Sequence, residues 1–553
     1  MEYLLAPPCP LSSNDMKDSP AVSNGSRNGL LISAAALVAL SSLVSRVLGL
    51  LRDRLLASTF GAGPVLDAYF AAYRIPDLLF NLLILGTLSA AFLPVFTATL
   101  ARGTEGRKEA FRVAESLFTV TIILLAGCAL FLFVFVPSVV RILAPGFDPG
   151  RIEHTVQLSR IMLLQPILLG ASSILGGVLT SFGRFFSYAA APVLYNVGII
   201  LGVLLFVPSL GVSGLAWGVV LGALLHLLIQ APGAWRLGFR FRPIVAWSSE
   251  GLWQIGRLMG PRLVGLLAVQ AGALIVTVLG SLLAAGSIAV FSFAENLQAV
   301  PIGLVGISFA VAAFPELSVA AARNAVRTFL GTLIRSMRLV LFFILPLSVG
   351  MLLLRAQIVR VVLGTGAFDW EDTVLTLNVL GILVLSVFAQ SLTPLLARAF
   401  FSLQDTRTPM VAGLVAILVN VVSAFFLGRR FGVEGLAMAF TISAIVNFLI
   451  LLTMIHARLG GLHDRELLMA VVRIGIAALL AGIAIQLLKR PIAAVVDMQK
   501  LWGILTQLLG TASGGALTYL LASRFLGIEE LQLLRRGLRR FKAQRTSLSE
   551  LST

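Results

Sequence analysis

The chain is 553 residues long, 58% hydrophobic and only 12% charged, with a mean hydropathy of +0.98. A soluble domain keeps about a quarter of its residues charged to cover its surface, so the apolar excess here has to face lipid, which excludes a soluble enzyme or binding module. The formal net charge is +17, but the Lys and Arg residues sit between apolar runs and form no basic face with interleaved aromatics, so the charge reads as membrane orientation and not as nucleic-acid binding.

In chain order, residues 1–28 come first. They are rich in Ser, Asn and Pro and lack the basic start and apolar core of a signal peptide, so a disordered cytoplasmic leader is expected. Cys9 in this leader and Cys128 in a later apolar run are the two cysteines, and they form neither a disulfide framework nor a metal spacing. About 14 runs then reach the roughly 20 apolar residues that a spanning helix needs. They lie near 29–59, 66–99, 112–137, 155–181, 186–207, 212–230, 250–284, 286–320, 328–354, 372–402, 408–427, 434–456, 468–488 and 501–525. The first, second, seventh, eighth and tenth are longer than a bilayer requires and are expected to bend or project, with Gly49, Pro76, Gly86, Pro301 and Gly306 as bend points. The last segment, 529–553, opens as a basic amphipathic helix that suits an anionic lipid surface.

Orientation follows from the loops. With the N-terminus inside, the cytoplasmic side holds Arg102, Arg107, Lys108, Arg184, Arg236, Arg240, Arg323, Arg327, Arg407, Arg458 and the basic tail, and the other side holds far fewer cations. The bias predicts both termini in the cytoplasm.

The chain also repeats. Gly211-Val212-Ser213-Gly214-Leu215-Ala216 returns as Gly432-Val433-Glu434-Gly435-Leu436-Ala437, 221 residues later. The helices that these segments open end alike, at Arg236-Leu237-Gly238 and Arg458-Leu459-Gly460. Gly86 through Ala90-Ala91-Phe92 and Pro94 similarly matches Gly306 through Ala312-Ala313-Phe314-Pro315. The expected fold is therefore all-α and polytopic, with two pseudo-symmetric six-helix lobes (29–240 and 250–460), helices 13 and 14 added over 466–526, and a basic tail over 529–553. An even number of helices per lobe gives both the same topology, related by an axis along the membrane normal. Transporters built this way hold substrate between the lobes.

Several charges stand where lipid-facing helices carry none. In the first run Arg46 and Asp53 fall on nearly one face, with Arg52 within about 120° of both. In the second run Asp67 and Arg74 are seven residues apart, again on one face. In the C-terminal half the candidates are Arg262, Glu295, Asn296, Gln298, Gln390 and Arg398. An arginine at mid-bilayer costs roughly 2.5–3.5 kcal/mol, so Arg46 and Arg52 should face a polar cavity or pair with acids, Asp53 being the natural partner. For Asp53, Asp67, Arg74 and Glu295 a structural pairing that closes the lobes on one side competes with ligand binding. An excess of buried arginine over acid favours an anionic ligand, and the planar guanidinium fork suits a pyrophosphate. The four histidines make no ligand set, no phosphate loop with Lys follows a strand, and no catalytic triad stands out; neither an enzyme nor a cofactor is expected.

At this point the local sequences resemble the MurJ (MviN) family of lipid II flippases, in the superfamily that also holds MATE exporters. The likeness is carried by Ser45-Arg46-Val47-Leu48-Gly49 through Arg52-Asp53; by Phe60-Gly61-Ala62-Gly63 through Asp67-Ala68-Tyr69-Phe70; and by Leu143-Ala144-Pro145-Gly146-Phe147-Asp148. Gly366-Ala367-Phe368-Asp369 with Glu371-Asp372-Thr373, and Ala397-Arg398-Ala399-Phe400-Phe401 through Asp405-Thr406-Arg407-Thr408-Pro409, extend it across about 30–525. The resemblance implies a bacterial cytoplasmic-membrane flippase whose partners are a polyprenyl-pyrophosphate-linked cell-wall precursor, membrane lipids and, as further candidates, cell-wall synthesis enzymes. It implies alternating access, a lipid-tail groove at helices 13 and 14, and substrate-binding roles for Arg46, Arg52, Asp53, Asp67 and Arg74. The chain departs from the family pattern where Phe80 and Asn81 replace a further arginine, Leu85 replaces an acid, and Asn296 replaces a clamping arginine after Glu295. Arg262 and Arg398 are the candidates to compensate. Asn420 matches one ligand of the sodium site described for some members, but helix 11 holds no carboxylate, so no sodium site is expected; coupling to another ion or to the membrane potential stays open. A flippase for another polyprenyl-linked oligosaccharide, a drug antiporter and a non-transporting scaffold for cell-wall synthesis are the alternative readings.

Overall fold

The computed structural model describes residues 24–85, 92–243, 270, 272–462 and 464–532, and among these it is helical with no strand. Its helices are α1 (Asn24–Phe60), α2 (Pro64–Phe80), α3 (Leu93–Leu100) and α4 (Gly103–Leu143). Next come α5 (Pro149–Ser181), α6 (Phe185–Leu210), α7 (Ser213–Leu237), α8 (Gly272–Ser281) and α9 (Ser287–Ala322). They are followed by α10 (Val326–Leu353), α11 (Arg355–Val362), α12 (Trp370–Val384), α13 (Val387–Ser402), α14 (Arg407–Leu459), α15 (Asp464–Val495) and α16 (Leu501–Phe525). Most of the seventh expected run, and the whole leader up to residue 23, lie outside the described residues, as do Gly86, Arg262 and the tail beyond residue 532.

Nine helices among the described residues are long and apolar enough to cross a membrane, or ten if α12 and α13, bent by 44° at their junction, count as one span. Length understates the crossings in one case. The 53 residues of α14 would make a rod of about 80 Å at 1.5 Å per residue, far beyond a bilayer of about 30 Å. The rod is broken at Gly432 (φ 60°, ψ −137°), and Asn420 Nδ2 donates to Ser443 Oγ at 3.3 Å. Two residues 23 apart meet only if the halves of α14 fold back on each other, so the eleventh and twelfth expected runs are a hairpin.

The repeat is written into the backbone. Gly211 (φ 59°) and Gly432 (φ 60°) share a positive φ 221 residues apart, as do Gly183 (φ 70°) and Gln404 (φ 57°), and Gly103 (φ 84°) and Asn324 (φ 52°). π-helical turns at Asn81–Leu85 and Ile302–Ile307 keep the same offset. Both π turns follow a proline of the same helical run, Pro76 and Pro301. The π turns fall within the two long runs, the second and the eighth, for which bends were expected.

Close packing within each half follows from small residues. A Cβ at Gly198 would lie 2.3 Å from Gly222, and one at Gly202 would lie 2.2 Å from Gly218, so α6 and α7 meet backbone to backbone. In lipid, where apolar burial adds little between helices, such contact is a main source of association. One core, built on Phe92, Phe96 and Phe111, belongs to the N-terminal half. Another, on Phe329, Met337 and Phe400, belongs to the C-terminal half. A third joins Leu56, Leu66 and Tyr69 to Phe291, Phe293 and Leu380 from the other half.

That third core marks a seam at one end of the molecule. There Ala367 N–H donates to Ser58 O at 2.8 Å and Ala62 N–H donates to Asp372 Oδ2 at 2.8 Å. The backbones are so close that a Cβ at Gly286 would stand 1.9 Å from Ala62 O, and one at Gly366 would stand 2.2 Å from Ser58 O. At the far end, polar contacts stay within a half: Arg107 with Leu237 O at 3.0 Å, Arg240 N–H with Glu115 at 2.9 Å, Arg458 with Asp405 at 2.6 Å. Among the described residues no hydrogen bond or ion pair joins the halves there. Among the described residues, polar ties seal the halves together at one end and none joins them at the other. The α15–α16 pair docks on α10, where Tyr519 donates to Phe342 O at 2.6 Å and Arg338 is held by Glu466, Glu529 and Glu530 at 3.0, 2.8 and 2.5 Å.

Candidate functional site

The charges of α1 and α2 meet the start of α9 between the halves. Arg52 donates through Nε and Nη2 to Asp53 Oδ1 at 3.0 and 2.8 Å. Its Nη1 reaches Asn196 Oδ1 on α6 at 3.4 Å. Asn196 is placed by its own amide, which donates to Ser45 O, Ser45 Oγ and Pro192 O at 3.2, 3.1 and 3.1 Å. Across the seam, Asn296 Nδ2 donates to Asp53 Oδ2 at 2.9 Å. Asp53 is 2% exposed, so both its oxygens are used and it is sequestered from water. On α2, Arg74 approaches Glu295 at 3.9 Å, and Asp77 takes hydrogen bonds from Asn81 at 2.9 Å and from Gln270.

Arg46 is different. Its Nη1 donates to the Ala299 carbonyl of α9 at 3.3 Å, and no carboxylate pairs with it among the described residues. The guanidinium fits because the facing residue is Gly303: a Cβ there would fall 1.9 Å from Nη2. The π turn over Ile302–Ile307 thus presents a bare stretch of backbone to the one cation of this cluster that lacks an acid.

Of the two outcomes expected for Arg46 and Arg52, a polar cavity or pairing with an acid, each arginine takes a different one. Arg52 is neutralised by Asp53, and Arg46 keeps its charge unmatched among the described residues. Asp67 also leaves the cluster. It is 1% exposed and accepts the N–H groups of Gly286 and Ala289 at 2.6 and 2.9 Å, capping the start of α9 at the seam. Its environment is that of a clasp. Arg398 sits on α13 one turn from the far end, with its Nη1 unpartnered and no bond to the cluster among the described residues; Gln390 and Gln298 contact each other at 3.4 Å. Arg262 lies outside the described residues. Glu295 and Asn296 are in the cluster as expected, with Asn296 acting as the tie to Asp53.

Sequence reasoning missed Asn196 and the trio of half-buried Tyr73 and Tyr195 with buried Gln165. The two phenol oxygens are 2.9 Å apart, and the Gln165 amide lies 3.4 and 3.1 Å from them. The available signal was weak but real: an uncharged amide inside an apolar run is itself costly to bury without a partner.

The arrangement can bind an anion at Arg46 and can rearrange, because the polar ties between the halves are few and confined to one end and the middle. Among the described residues no group of three or more His, Cys, Asp or Glu side chains could hold a metal ion.

Comparison with known proteins bears on the family and the fold. A family model described as lipid II flippase MurJ matches residues 56–505. A probable lipid II flippase MurJ of Buchnera aphidicola subsp. Acyrthosiphon pisum is 30% identical over 89% of this chain and 97% of its own length. The probable lipid II flippase MurJ of Bdellovibrio bacteriovorus is 29% identical over 92% and 97%. Among solved structures, a lipid II flippase MurJ in an inward closed conformation superposes with a TM-score of 0.73 over 89% of this chain and 98% of its own, at 22% identity. An inward-facing MATE multidrug transporter follows at 0.64 over 76% and 96%, with 16% identity; these two likenesses bear on the fold.

Proposed function

The chain belongs to the lipid II flippase MurJ family, and from that premise we propose how its own residues carry the substrate. It is a multi-pass membrane transporter and not an enzyme, and its substrate is a lipid-linked cell-wall precursor. The finer reading is that lipid II moves from the inner to the outer leaflet of a bacterial cytoplasmic membrane. The Lys/Arg bias of the loops supports placing the parted end, and both termini, in the cytoplasm. The sealed end then faces outward, and the cavity is open to a precursor in the inner leaflet.

The observation that carries this reading is the unmatched charge of Arg46 between the halves. A pyrophosphate supplies the missing negative charge, and the planar fork can hold it with two parallel hydrogen bonds. Arg52, Asp53, Asn196 and Asn296 act as the scaffold that fixes α1 against α6 and α9. Binding neutralises Arg46 and lets the two lobes (29–240 and 250–460) close over the head group. Opening then requires the Asp67 and Asp372 ties to part on the other side. The polyprenyl tail stays in lipid, against α15 and α16, and the basic tail lies on anionic headgroups.

The test is complementation of a bacterium depleted of its own flippase. The intact chain should restore periplasmic precursor, and Arg46→Ala, expressed at the same level, should leave precursor on the inner leaflet. Normal periplasmic precursor in the Arg46→Ala strain would overturn the assignment to Arg46. Failure of the intact chain, with restoration by it of a strain lacking a different polyprenyl-linked oligosaccharide flippase, would move the substrate to that class.

A further inference from the structure

A cavity of about 570 Å³ opens inside the N-terminal half beside Arg46. That volume lies within the roughly 300–1,000 Å³ of small-molecule sites. Arg46 and three serines of α1 line one side, and α5, α6 and α7, with Ile84 and Leu93, line the others. Against α5 and α7 the wall is a polar cluster separate from the ties around Arg52 and Asp53. Ser172 Oγ lies 2.8 Å from His226 Nδ1, and Gln230 Nε2 donates to Ser172 Oγ at 3.0 Å.

Two atoms of this cluster have no partner. Gln230 is 1% exposed, yet its Oε1 accepts no hydrogen bond. His226 is engaged through Nδ1, and its Nε2 has no partner among the described residues. A buried amide oxygen left unpaired costs about 1–3 kcal/mol, so its retention calls for a donor that arrives from elsewhere. Gly176 faces the same oxygen: a Cβ there would lie 2.7 Å from Gln230 Oε1 and 3.1 Å from the Tyr188 ring. Gly176 and Gln230 both line the cavity, so the unpaired oxygen is buried in its wall with no side chain on the facing residue.

The cavity therefore pairs a cation at its rim with neutral, mixed donor–acceptor groups on its wall. We propose that it is a second subsite, which takes the neutral hydroxyl- and amide-bearing sugar adjoining the phosphate held at Arg46. This rests on the flippase reading above and deepens it. A phosphate would find no cation at Ser172, His226 and Gln230, and an alkyl chain would leave Gln230 Oε1 and His226 Nε2 unpaired. A sugar carrying hydroxyl and acetamido groups offers the N–H and O–H donors that Gln230 Oε1 needs and a partner of either kind for His226.

The experiment compares two probes on the purified full chain in lipid nanodiscs: polyprenyl pyrophosphate without sugar, and the same lipid bearing the complete sugar–peptide head. His226→Phe should weaken binding of the sugar-bearing lipid about tenfold and leave the sugarless lipid unchanged. Gly176→Ala, which fills space without deleting a polar group, should do the same, and it covers the event that His226→Phe fails to fold. Arg46→Ala should weaken both. Equal weakening of both lipids by the wall variants, or no weakening in folded protein, would overturn the subsite. If the unsubstituted chain binds neither lipid, the flippase reading itself fails, and the subsite with it.

Discussion

Removing the Asp67 carboxylate should shift the protein away from its sealed state. Asp67 accepts two buried N–H groups across the seam, from Gly286 at 2.6 Å and Ala289 at 2.9 Å. In Asp67→Ala both donors lose their partner at the start of α9, where the helix dipole also favours a negative charge. Each orphaned buried group costs about 1–3 kcal/mol. Loosening of the seam lets water recover part of this, which leaves roughly 2–4 kcal/mol, or about 30–1,000-fold in the equilibrium between sealed and unsealed states. Asp67→Asn keeps one acceptor oxygen and should fall about halfway on the logarithmic scale. The assay is labelling by a membrane-impermeant maleimide applied from outside to intact cells. The reporter is Ser287→Cys, a position 6% exposed in the sealed form, in a background without Cys9 and Cys128. If labelling follows the open population, Asp67→Ala raises its rate by at least tenfold. An unchanged rate, in protein that remains folded, would refute the view that Asp67 is a clasp.

Three further outcomes follow from the same contacts. Gly303→Ala places a methyl 1.9 Å from Arg46 Nη2; the flexible guanidinium should swing away, with transport falling to the Arg46→Ala level, thermal stability preserved, and no added loss in the double variant. Arg52→Ala leaves the 2%-exposed Asp53 without its cation and should destabilise by about 3–5 kcal/mol, read as a lower Tm in detergent. Arg52→Ala/Asp53→Asn should recover more than half of that, and a double variant no more stable than Arg52→Ala would contradict the pairing. At the far end the Thr408 N–H and hydroxyl and the nearby Arg458 hold the Asp405 carboxyl below the usual aspartate value. A depressed folded value means a contribution that is present above the ordinary value near 4 and lost as pH falls through the folded one. Asp405→Asn should therefore lower the Tm at pH 6, with the gap to the parent narrowing below about pH 4; a constant gap from pH 6 to pH 3 would argue against it.

Much of this protein could be read from its residues alone. Apolar run length is a local property that the bilayer enforces, so the helices of the structure fall where the runs stand, apart from those outside the described residues. The duplication was visible in Gly211-Val212 and Gly432-Val433, and the backbone repeats it at Gly183 and Gln404, where no sequence identity marks the match. The pairing of Arg52 with Asp53 was also legible, because adjacent opposite charges in an apolar helix have few other outlets.

What local patterns could not decide was who stands across the seam. Helical periodicity puts Arg46, Asp53 and Asp67 on inward faces, but not against a particular neighbour. Asp53 meets Asn296 over 243 positions, and Asp67 meets Gly286 over 219. Those partners depend on how one half sits against the other, which is set by the sum of many weak packing contacts along the seam. Only that placement separates Arg46, whose facing residue is a glycine, from Arg52, whose charge is already matched. It likewise turns Asp67 into a clasp, while packing within the N-terminal half brings His226 and Ser172 together at the wall of a cavity beside Arg46.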